Sequence, residues 1–317
     1  MTPWLGSPKR FRRVGGLVAA VKNGLQRTGH YTRTLARTRF PGVAVLAYHG
    51  LRDDSWPDGS MAFEDLHVRA STFEDHCRVI CDACDPIALD DWRAALAGRA
   101  PLPPRPVLIT FDDGYRSVYT KAAPILAAHR LPAVVFACSE PMERRRLLWF
   151  DSIASRDGEA AVESWKTRDY DSWLAGCVAA AAPVPDDDPR ALMTADDLAA
   201  LSRQSGIEIG AHTARHPILA RAARASQRSE IGGCKAALEG WIARPVRAFA
   251  YPNGRPNVDY CSETVALVRE LGFDFAFTTR PAFATAGEGP LERSRFTIVA
   301  EITAPELAHR LAYAWSR

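Results

Sequence analysis

Seven short apolar runs recur along the chain, and a helical spacing of apolar and polar positions follows most of them. The runs span residues 43–48, 106–111, 133–138, 207–211, 246–251, 273–278 and 296–299. The helical segments span residues 71–83, 117–129, 194–204, 221–242, 259–271 and 303–315. Apolar runs of this length are typical of buried strands, and their alternation with helices is the pattern of parallel β/α units. The sequence therefore predicts a distorted seven- or eight-stranded β/α barrel.

A long stretch at residues 140–193 interrupts this alternation. It contains an arginine run at 144–146, an alanine-rich segment and several tryptophans. The stretch predicts a helical insertion that covers the substrate groove. Two interpretations hold for Trp149, Trp165 and Trp173: they stack on the ring faces of a bound ligand, or they only attach the insertion to the barrel.

Three cysteines lie in or just after the helix predicted at residues 71–83. The C-x3-C-x2-C spacing of Cys77, Cys81 and Cys84 resembles the iron–sulfur motif of radical S-adenosylmethionine enzymes. Steps of four and three residues also place all three thiols on one helix face, where cysteine packs as a small apolar residue. Buried thiols are the favoured interpretation, ahead of a cluster or a zinc site.

Length and composition indicate one catalytic domain. The chain has 317 residues, of which 47% are hydrophobic, so it can bury a substantial core, and β/α barrels of this length commonly form a single domain. The net charge of +3 is too small to indicate a polyanionic partner, and we predict no nucleic-acid binding. The seven cysteines, an odd number, indicate reduced thiols rather than a disulfide framework.

The positive charge is concentrated in residues 1–40, and no acidic residue precedes Asp53. The apolar stretch at 14–21 is too short to span a bilayer and lacks a signal-peptide cleavage pattern. We divide the chain into this basic leader and a catalytic barrel at 41–317, and we predict a cytoplasmic protein. The leader either contacts anionic lipid at the inner membrane face or is a disordered or surface-packed segment. Its basic residues are Lys9, Arg10, Arg12, Arg13, Lys22, Arg27, Arg33, Arg37 and Arg39.

Two adjacent carboxylates, Asp112 and Asp113, follow the apolar run at 106–111 and precede Gly114. A turn at this glycine can bring both carboxylates toward one cavity at the end of the strand. Two carboxylates side by side repel each other unless a cation or a proton separates them. The alternative is an acidic turn on the surface.

A histidine pair, His212 and His216, follows the run at 207–211. Two imidazoles four residues apart face the same way on a helical turn, so both can reach one metal ion. One aspartate with two histidines suits zinc, iron, cobalt or nickel and leaves positions open for water and substrate. The pattern favours a catalytic metal site over solvent-exposed histidines.

These motifs resemble the polysaccharide deacetylases of the NodB-homology family, carbohydrate esterase family 4. The stretch Thr-Phe-Asp-Asp-Gly at 110–114 matches the first family motif, and His-Thr-Ala-Arg-His at 212–216 matches the second. The resemblance implies a NodB-type barrel with Asp112 as general base. It also implies that Asp113, His212 and His216 hold one divalent transition metal, with zinc favoured over iron, cobalt or nickel.

The third family motif, Arg-x-Pro-Tyr, is only partly present. Ala250 stands where many members carry the arginine. Arg293 or Arg295, just before the last strand, is the candidate substitute for orienting Asp112. The departure resembles the branch that acts on poly-N-acetylglucosamine, which also carries a Tyr-His pair near its start, here Tyr48 and His49.

The resemblance also implies the remaining roles. His49, of the Tyr-His pair, is the candidate acid that protonates the departing amine. The turn containing Tyr251 and Asn253 is expected to aim backbone N–H groups at the oxyanion and the substrate. The predicted function is metal-dependent removal of an N-acetyl group from an amino sugar in a polysaccharide, oligosaccharide or lipid-linked glycan. The alternatives are a metal-dependent amidase or ester deacetylase acting on a small non-sugar substrate, and a non-catalytic carbohydrate-binding barrel.

Overall fold

The structure, a computed structural model, describes residues 15–59, 61–180, 184–185 and 188–314. Its centre is a curled sheet in which all paired strands run parallel. The ten strands of the described chain are β1 (Ala44–Tyr48), β2 (Gly50–Arg52), β3 (His67–Arg69), β4 (Asp85–Pro86), β5 (Pro106–Phe111), β6 (Ala133–Ala137), β7 (Ile207–Ala211), β8 (Ala248–Ala250), β9 (Phe275–Phe277) and β10 (Phe296–Thr297).

The main sheet follows the order β10-β1-β5-β6-β7-β8-β9, with β4 beside β5 and a separate pair β2-β3. The segment before β10 continues the path beyond β9, since Arg293 N–H donates to Ala276 O at 2.8 Å and Thr278 N–H donates to Arg293 O at 2.8 Å. The predicted distorted β/α barrel is confirmed, with seven strands along its path.

Helices surround this sheet and enclose its outer face. In the described residues they are α1 (Gly15–Arg27), α2 (His30–Ala36), α3 (Ala70–Ala83), α4 (Leu89–Leu96), α5 (Ala123–His129), α6 (Ser139–Arg144), α7 (Trp149–Asp157), α8 (Glu159–Lys166), α9 (Tyr170–Ala180), α10 (Ala195–Ser202), α11 (Arg224–Ile242), α12 (Ser262–Glu270) and α13 (Ala304–His309). One-turn π segments at Val118–Ala122 and Arg310–Ala314 adjoin α5 and α13.

The apolar runs are continuous because the central strands are covered on both faces. Every residue of β1, β5 and β6 is buried. Alternate side chains divide between two cores: Leu46 and Ile109 pack toward the helices, whereas Val45 and Leu108 fill the barrel interior. Trp92 of α4 belongs to the interior core and closes the end at which the strands begin. The candidate functional residues lie at the opposite end, where the strands finish.

The cysteine prediction is correct in part. Cys77 and Cys84 are buried, but Cys81 is exposed. The part of the α3 surface that packs on the protein is too narrow to include all three thiols. Burial raises the pKa of Cys84 to about 12, so that thiol stays protonated. In the described chain the cysteines form no metal-binding group.

The tryptophans of the interrupting stretch are buried. Trp149 and Trp173 meet edge to face at 5.8 Å between ring centroids, and Trp165 is 7% exposed. Attachment of α7, α8 and α9 to the barrel therefore accounts for these rings, and sugar stacking is not needed to explain them.

The described part of the basic leader packs on the last helix. Tyr31 of α2 is 1% exposed and contacts the rings of His309 and Tyr313, while Lys22 of α1 pairs with Glu306. The basic residues Lys9, Arg10, Arg12 and Arg13, and the end of the helix predicted at 303–315, lie outside the described residues. Across the described helices, none combines the length and apolarity needed to cross a bilayer.

Candidate active site

The two carboxylates lie where β5 ends, and a turn holds both of them under cover. Asp112 N–H donates to Tyr48 O at 2.9 Å, which extends the ladder with β1 by one residue. Asp113 has φ 73° and Gly114 has φ 88°, so the backbone leaves the strand through a left-handed turn. A side chain at Gly114 would also meet Met142 Sδ at 3.1 Å. Asp112 and Asp113 are 3% and 1% exposed, which excludes the alternative of a surface turn.

The histidine pair lies on a loop, so the predicted helical turn is wrong. Thr213 and His216 have φ values of 67° and 61°, and His216 N–H donates to Thr213 Oγ1 at 3.0 Å. His212 still belongs to the extended end of β7, because its N–H donates to Ala137 O of the neighbouring strand. A tight loop, rather than helical periodicity, folds His216 back until the two rings lie 4.9 Å apart.

Three side chains converge on one point at this end of the barrel. His212 Nε2 lies 3.4 Å and His216 Nε2 lies 3.5 Å from Asp113 Oδ1, and one ligand atom from each residue falls within 4.8 Å of the others. Ligands of a tetrahedral zinc ion lie roughly 3.3 Å apart, given bonds near 2.0–2.2 Å. Asp113 Oδ1 is buried with no hydrogen-bond donor in the described chain, as expected of a cation ligand. The residues therefore fit one divalent transition metal.

The protonation states also suit ligation. His212 Nδ1–H donates to Ala250 O at 2.8 Å, which leaves the Nε2 lone pair directed at Asp113. Burial lowers the pKa of His216 to about 3, so its ring is neutral. Burial opposes ionisation of Asp113, but its close contact with His212 and the nearby imidazoles of His216 and His49 outweigh it and hold the pKa of this carboxyl below its usual range. The pKa of His212 is raised despite burial, through its contact with Asp113 and the charge of Asp112.

The second carboxylate is held by an arginine from the far end of the chain. Arg295 donates from Nη1 to Asp112 Oδ1 at 2.7 Å and from Nη2 to Oδ2 at 2.6 Å, and both side chains are buried. Burial raises the pKa of Asp112, but the charge of Arg295 more than compensates, so the pKa is lowered and the group stays a carboxylate. Arg295 thus stands in for the arginine missing at Ala250. Arg293 instead donates to Thr285 O and does not contact Asp112.

His49 follows β1 at the same end of the sheet. Its charge contributes to lowering the pKa of both Asp112 and Asp113, and its Nδ1 is buried without a partner in the described residues. The path of the chain after His49 is fixed, because Gly50 packs closely on His67. A side chain at position 50 would lie 2.1 Å from His67 Nδ1. His49 is therefore close enough to both carboxylates to influence their charge.

The turn after β8 brings only one of its two predicted residues to the site. Tyr251 uses both of its donors elsewhere: its N–H donates to Phe277 O at 3.1 Å and its hydroxyl donates to Leu291 O at 3.0 Å. Its ring stacks on Tyr260 at 3.8 Å in the core, so the role predicted for Tyr251 is wrong. Asn253 keeps the predicted freedom, because neither its backbone N–H nor its buried Nδ2 has an acceptor in the part of the chain described.

Sequence reasoning missed the buried residues behind these groups. Glu230 of α11 is fully buried and holds the histidine loop: its Oε2 accepts from Arg215 N–H at 2.9 Å and its backbone oxygen accepts from Ala214 N–H at 2.9 Å. Tyr115 donates to Asp151 of α7 at 2.9 Å, which ties that helix to the end of β5. The signal in the sequence for Glu230 was an acidic residue on the buried face of α11, which also carries Ile231, Cys234 and Leu238.

Replacement of Glu230 by glutamine is expected to weaken zinc binding by about tenfold, at the lower end of the effect of outer-shell changes. Both oxygens of Glu230 accept from Arg215, Oε2 from the backbone N–H and Oε1 from Nη1. Either orientation of the new amide therefore sets its NH2 group against a donor and shifts the loop that carries His212 and His216. Competition with a chromogenic chelator measures the affinity. Tyr170→Phe, which removes only a hydroxyl donated to Glu230 at 2.7 Å, is the matched control and keeps most of the affinity. Unchanged affinity in folded Glu230→Gln would contradict this role.

A β/α barrel with paired carboxylates and a histidine pair at the ends of its strands is typical of deacetylase-type hydrolases. The chain belongs to the polysaccharide deacetylase family, whose family model matches residues 99–276. This confirms the family predicted from the motifs.

Two curated relatives match parts of the chain. Over 94 residues it is 33% identical to the poly-β-1,6-N-acetyl-D-glucosamine N-deacetylase of Escherichia coli K12, covering 29% of this chain and 13% of that protein. Over 183 residues it is 23% identical to the putative polysaccharide deacetylase YxkH of Bacillus subtilis 168, covering 58% of this chain and 48% of that protein. The chain thus spans less than half the length of either relative.

Solved structures share the fold. The Streptococcus pyogenes deacetylase PplD in complex with acetate superimposes with a TM-score of 0.63 at 20% identity, covering 86% of this chain and 99% of that one. IcaB from Ammonifex degensii gives a TM-score of 0.61 at 20% identity, with coverages of 87% and 99%. At this identity the comparison establishes the architecture of the barrel.

Proposed function

We propose that this chain is a metal-dependent hydrolase that removes the acetyl group from an N-acetylated amino sugar in a glycan. The observation that carries the proposal is the convergence of two unlike carboxylates. Asp113 meets two histidine nitrogens at 3.4 and 3.5 Å, whereas Asp112, its neighbour in sequence, is paired with Arg295. One carboxylate is thus built to hold a cation, and the other is kept ionised and free of the cation. A carbohydrate-binding barrel without activity has no need of this division.

The roles of the protein groups follow from this division. Asp112 is the general base that takes the proton of the attacking water, and Arg295 fixes its orientation. The free N–H of Asn253 donates to the carbonyl oxygen as negative charge develops, and one such donor is worth roughly 3–4 kcal/mol. His49 gives a proton to the nitrogen of the departing amine. A zinc ion held by Asp113, His212 and His216 would supply Lewis acidity toward water and the acetamide carbonyl.

We further propose that N-acetylglucosamine units of a polymer, an oligosaccharide or a lipid-linked glycan are the substrates. Support comes from the segment similar to the E. coli enzyme and from the Tyr-His-Gly stretch that delivers His49. We also propose that the protein works in the cytoplasm, because the structure holds its seven cysteines as free thiols. Contact of the basic leader with an anionic inner membrane face stays a prediction.

The test is acetate release from a panel of N-acetylated oligosaccharides and small non-sugar amides. We expect release from the sugars, its loss after dialysis against a chelator, and its return with zinc. Release from the small amides alone would favour the other amidase class, and no release from any member of the panel would contradict the proposal.

A further inference from the structure

A cavity of about 210 Å³ lies beside the loop that carries the histidines. It is bounded by α6, the start of α7, α9 and the side chain of Arg215. Its volume is below the roughly 300 Å³ at which pockets for whole drug-sized ligands begin. The cavity therefore suits one charged group with part of a sugar, and not a complete oligosaccharide.

The wall of this cavity is the outer side of the metal-binding loop. Arg215 directly precedes His216, and Trp149, which also lines the cavity, donates from Nε1 to His216 O at 2.8 Å. Glu140 N–H donates to Ala214 O at 2.9 Å on the same loop. A group bound in the cavity would thus contact the loop that also carries His216.

The charged side chains lining the cavity are three arginines and one acid: Arg144, Arg146, Arg215 and Glu140. Arg215 is held by Glu230 at 2.9 Å, and Arg144 by Glu140 at 2.6 Å. Arg146 forms no ion pair in the described chain, so the lining carries an excess of positive charge with one guanidinium left over. The rest of the lining is largely apolar, including Leu147 and Leu174.

Guanidinium groups that face one concavity form a donor set for an oxyanion. Their planar N–H forks match phosphate and carboxylate oxygens, and such charge-assisted bonds are stronger than neutral ones. Arg144 and Arg215 remain 55% and 32% exposed, so a ligand can reach them from solvent. The apolar lining beside them keeps the concavity open for part of a sugar.

We propose that this cavity binds an anionic group of the substrate, a phosphate or a carboxylate on the unit adjacent to the N-acetylated sugar. The inference rests on the proposed function and narrows it: the substrate is a glycosyl phosphate or an acidic glycan, and not a neutral homopolymer. The arginines at 144 and 146 then have a role that neither the metal site nor the acid–base pair gives them.

The experiment compares three substrates on the zinc-loaded enzyme: N-acetylglucosamine 1-phosphate, a disaccharide of N-acetylglucosamine and glucuronic acid, and the neutral methyl glycoside of N-acetylglucosamine. We expect kcat/KM to be at least about tenfold higher for one or both anionic substrates, which corresponds to one charge-assisted hydrogen bond. A higher value for the phosphate or for the uronate assigns the source of the anion. Equal values for all three would overturn the proposal.

Variants of the arginine run locate the effect. Arg146→Gln is expected to reduce the preference for the anionic substrate by about tenfold, mainly through KM, and Arg146→Lys to restore part of it. Arg145→Gln changes the net charge equally, but Arg145 does not line the cavity. The Arg145→Gln variant is therefore expected to prefer the anionic substrate as strongly as wild type does. A preference that survives Arg146→Gln would overturn the assignment.

Calorimetry separates this inference from the proposed function. Wild type is expected to bind N-acetylglucosamine 1-phosphate more tightly than the methyl glycoside, and Arg146→Gln to lose the difference. If no sugar is deacetylated but this binding difference persists, the proposed function fails and the cavity assignment stands. If acetate is released while binding and turnover show no preference for the anion, the cavity assignment alone fails.

Discussion

Replacement of His212 by alanine is expected to empty the metal site and to lower acetate release by about a thousandfold or more, since a catalytic metal supplies several kcal/mol of transition-state stabilisation. Two of the three candidate ligands would remain. Asp113 would then keep a buried carboxylate with a single histidine beside it. Elemental analysis after dialysis measures the metal, and an acetate assay measures the activity.

His129→Ala is the control, because His129 lies at the end of α5 away from the site and its loss leaves metal content unchanged. Asp113→Asn should resemble His212→Ala, because a neutral amide oxygen is a poorer ligand than a carboxylate. Protonation competes with the metal for each ligand. The raised pKa of His212 makes this ring the first of the three to protonate as pH falls, whereas His216 and Asp113 protonate only in strong acid. Equal metal content in wild type and His212→Ala would contradict the site.

The strands could be predicted from the sequence because burial on both faces makes most positions of each strand apolar. The runs predicted at 106–111 and 207–211 have the same bounds as β5 and β7. The runs at 246–251 and 273–278 are longer than β8 and β9, which keep three residues each. The apolar run extends past the end of β8 to Tyr251 because the ring of Tyr251 packs on Tyr260, and not because the strand continues.

The site was predicted only as far as its residue types carry the chemistry. The spacing of His212 and His216 identified both nitrogen ligands, but two left-handed residues, not a helical turn, bring them together. The loop takes this shape because Glu230 of α11 accepts its N–H groups, and no local sequence pattern predicts that contact.

The partner of Asp112 was also predicted only in part. The missing arginine at position 250 predicted a substitute at Arg293 or Arg295, and the sequence could not choose between them. The choice is made by packing: Arg293 lies over the ring of Trp92, at 5.1 Å from its centroid, whereas Arg295 reaches across the barrel to Thr110 and Asp112. These residues are far apart in sequence, so their contact follows from closure of the barrel. No feature of either segment alone predicts it.

Loss of the His49 ring is expected to slow amide hydrolysis by about 10²- to 10⁴-fold, the usual contribution of a general acid. An amine leaves poorly unless it is protonated, and His49 lies at this end of the barrel without belonging to the metal-binding group. Its Nδ1 has no protein partner in the described residues, so the ring is free to turn toward the departing nitrogen. The metal content of His49→Ala should equal that of wild type.

An aryl acetate ester distinguishes the acid from the base, because its leaving group departs without a proton. His49→Ala should retain most of its activity on the ester, while Asp112→Asn should be slow on both substrates, since each reaction needs the water deprotonated. Asp112→Asn also removes the charge that Arg295 neutralises, so its folding is checked by thermal denaturation before the rates are compared. Equal losses on ester and amide in His49→Ala would assign the ring to positioning, and the acid would have to come from another residue.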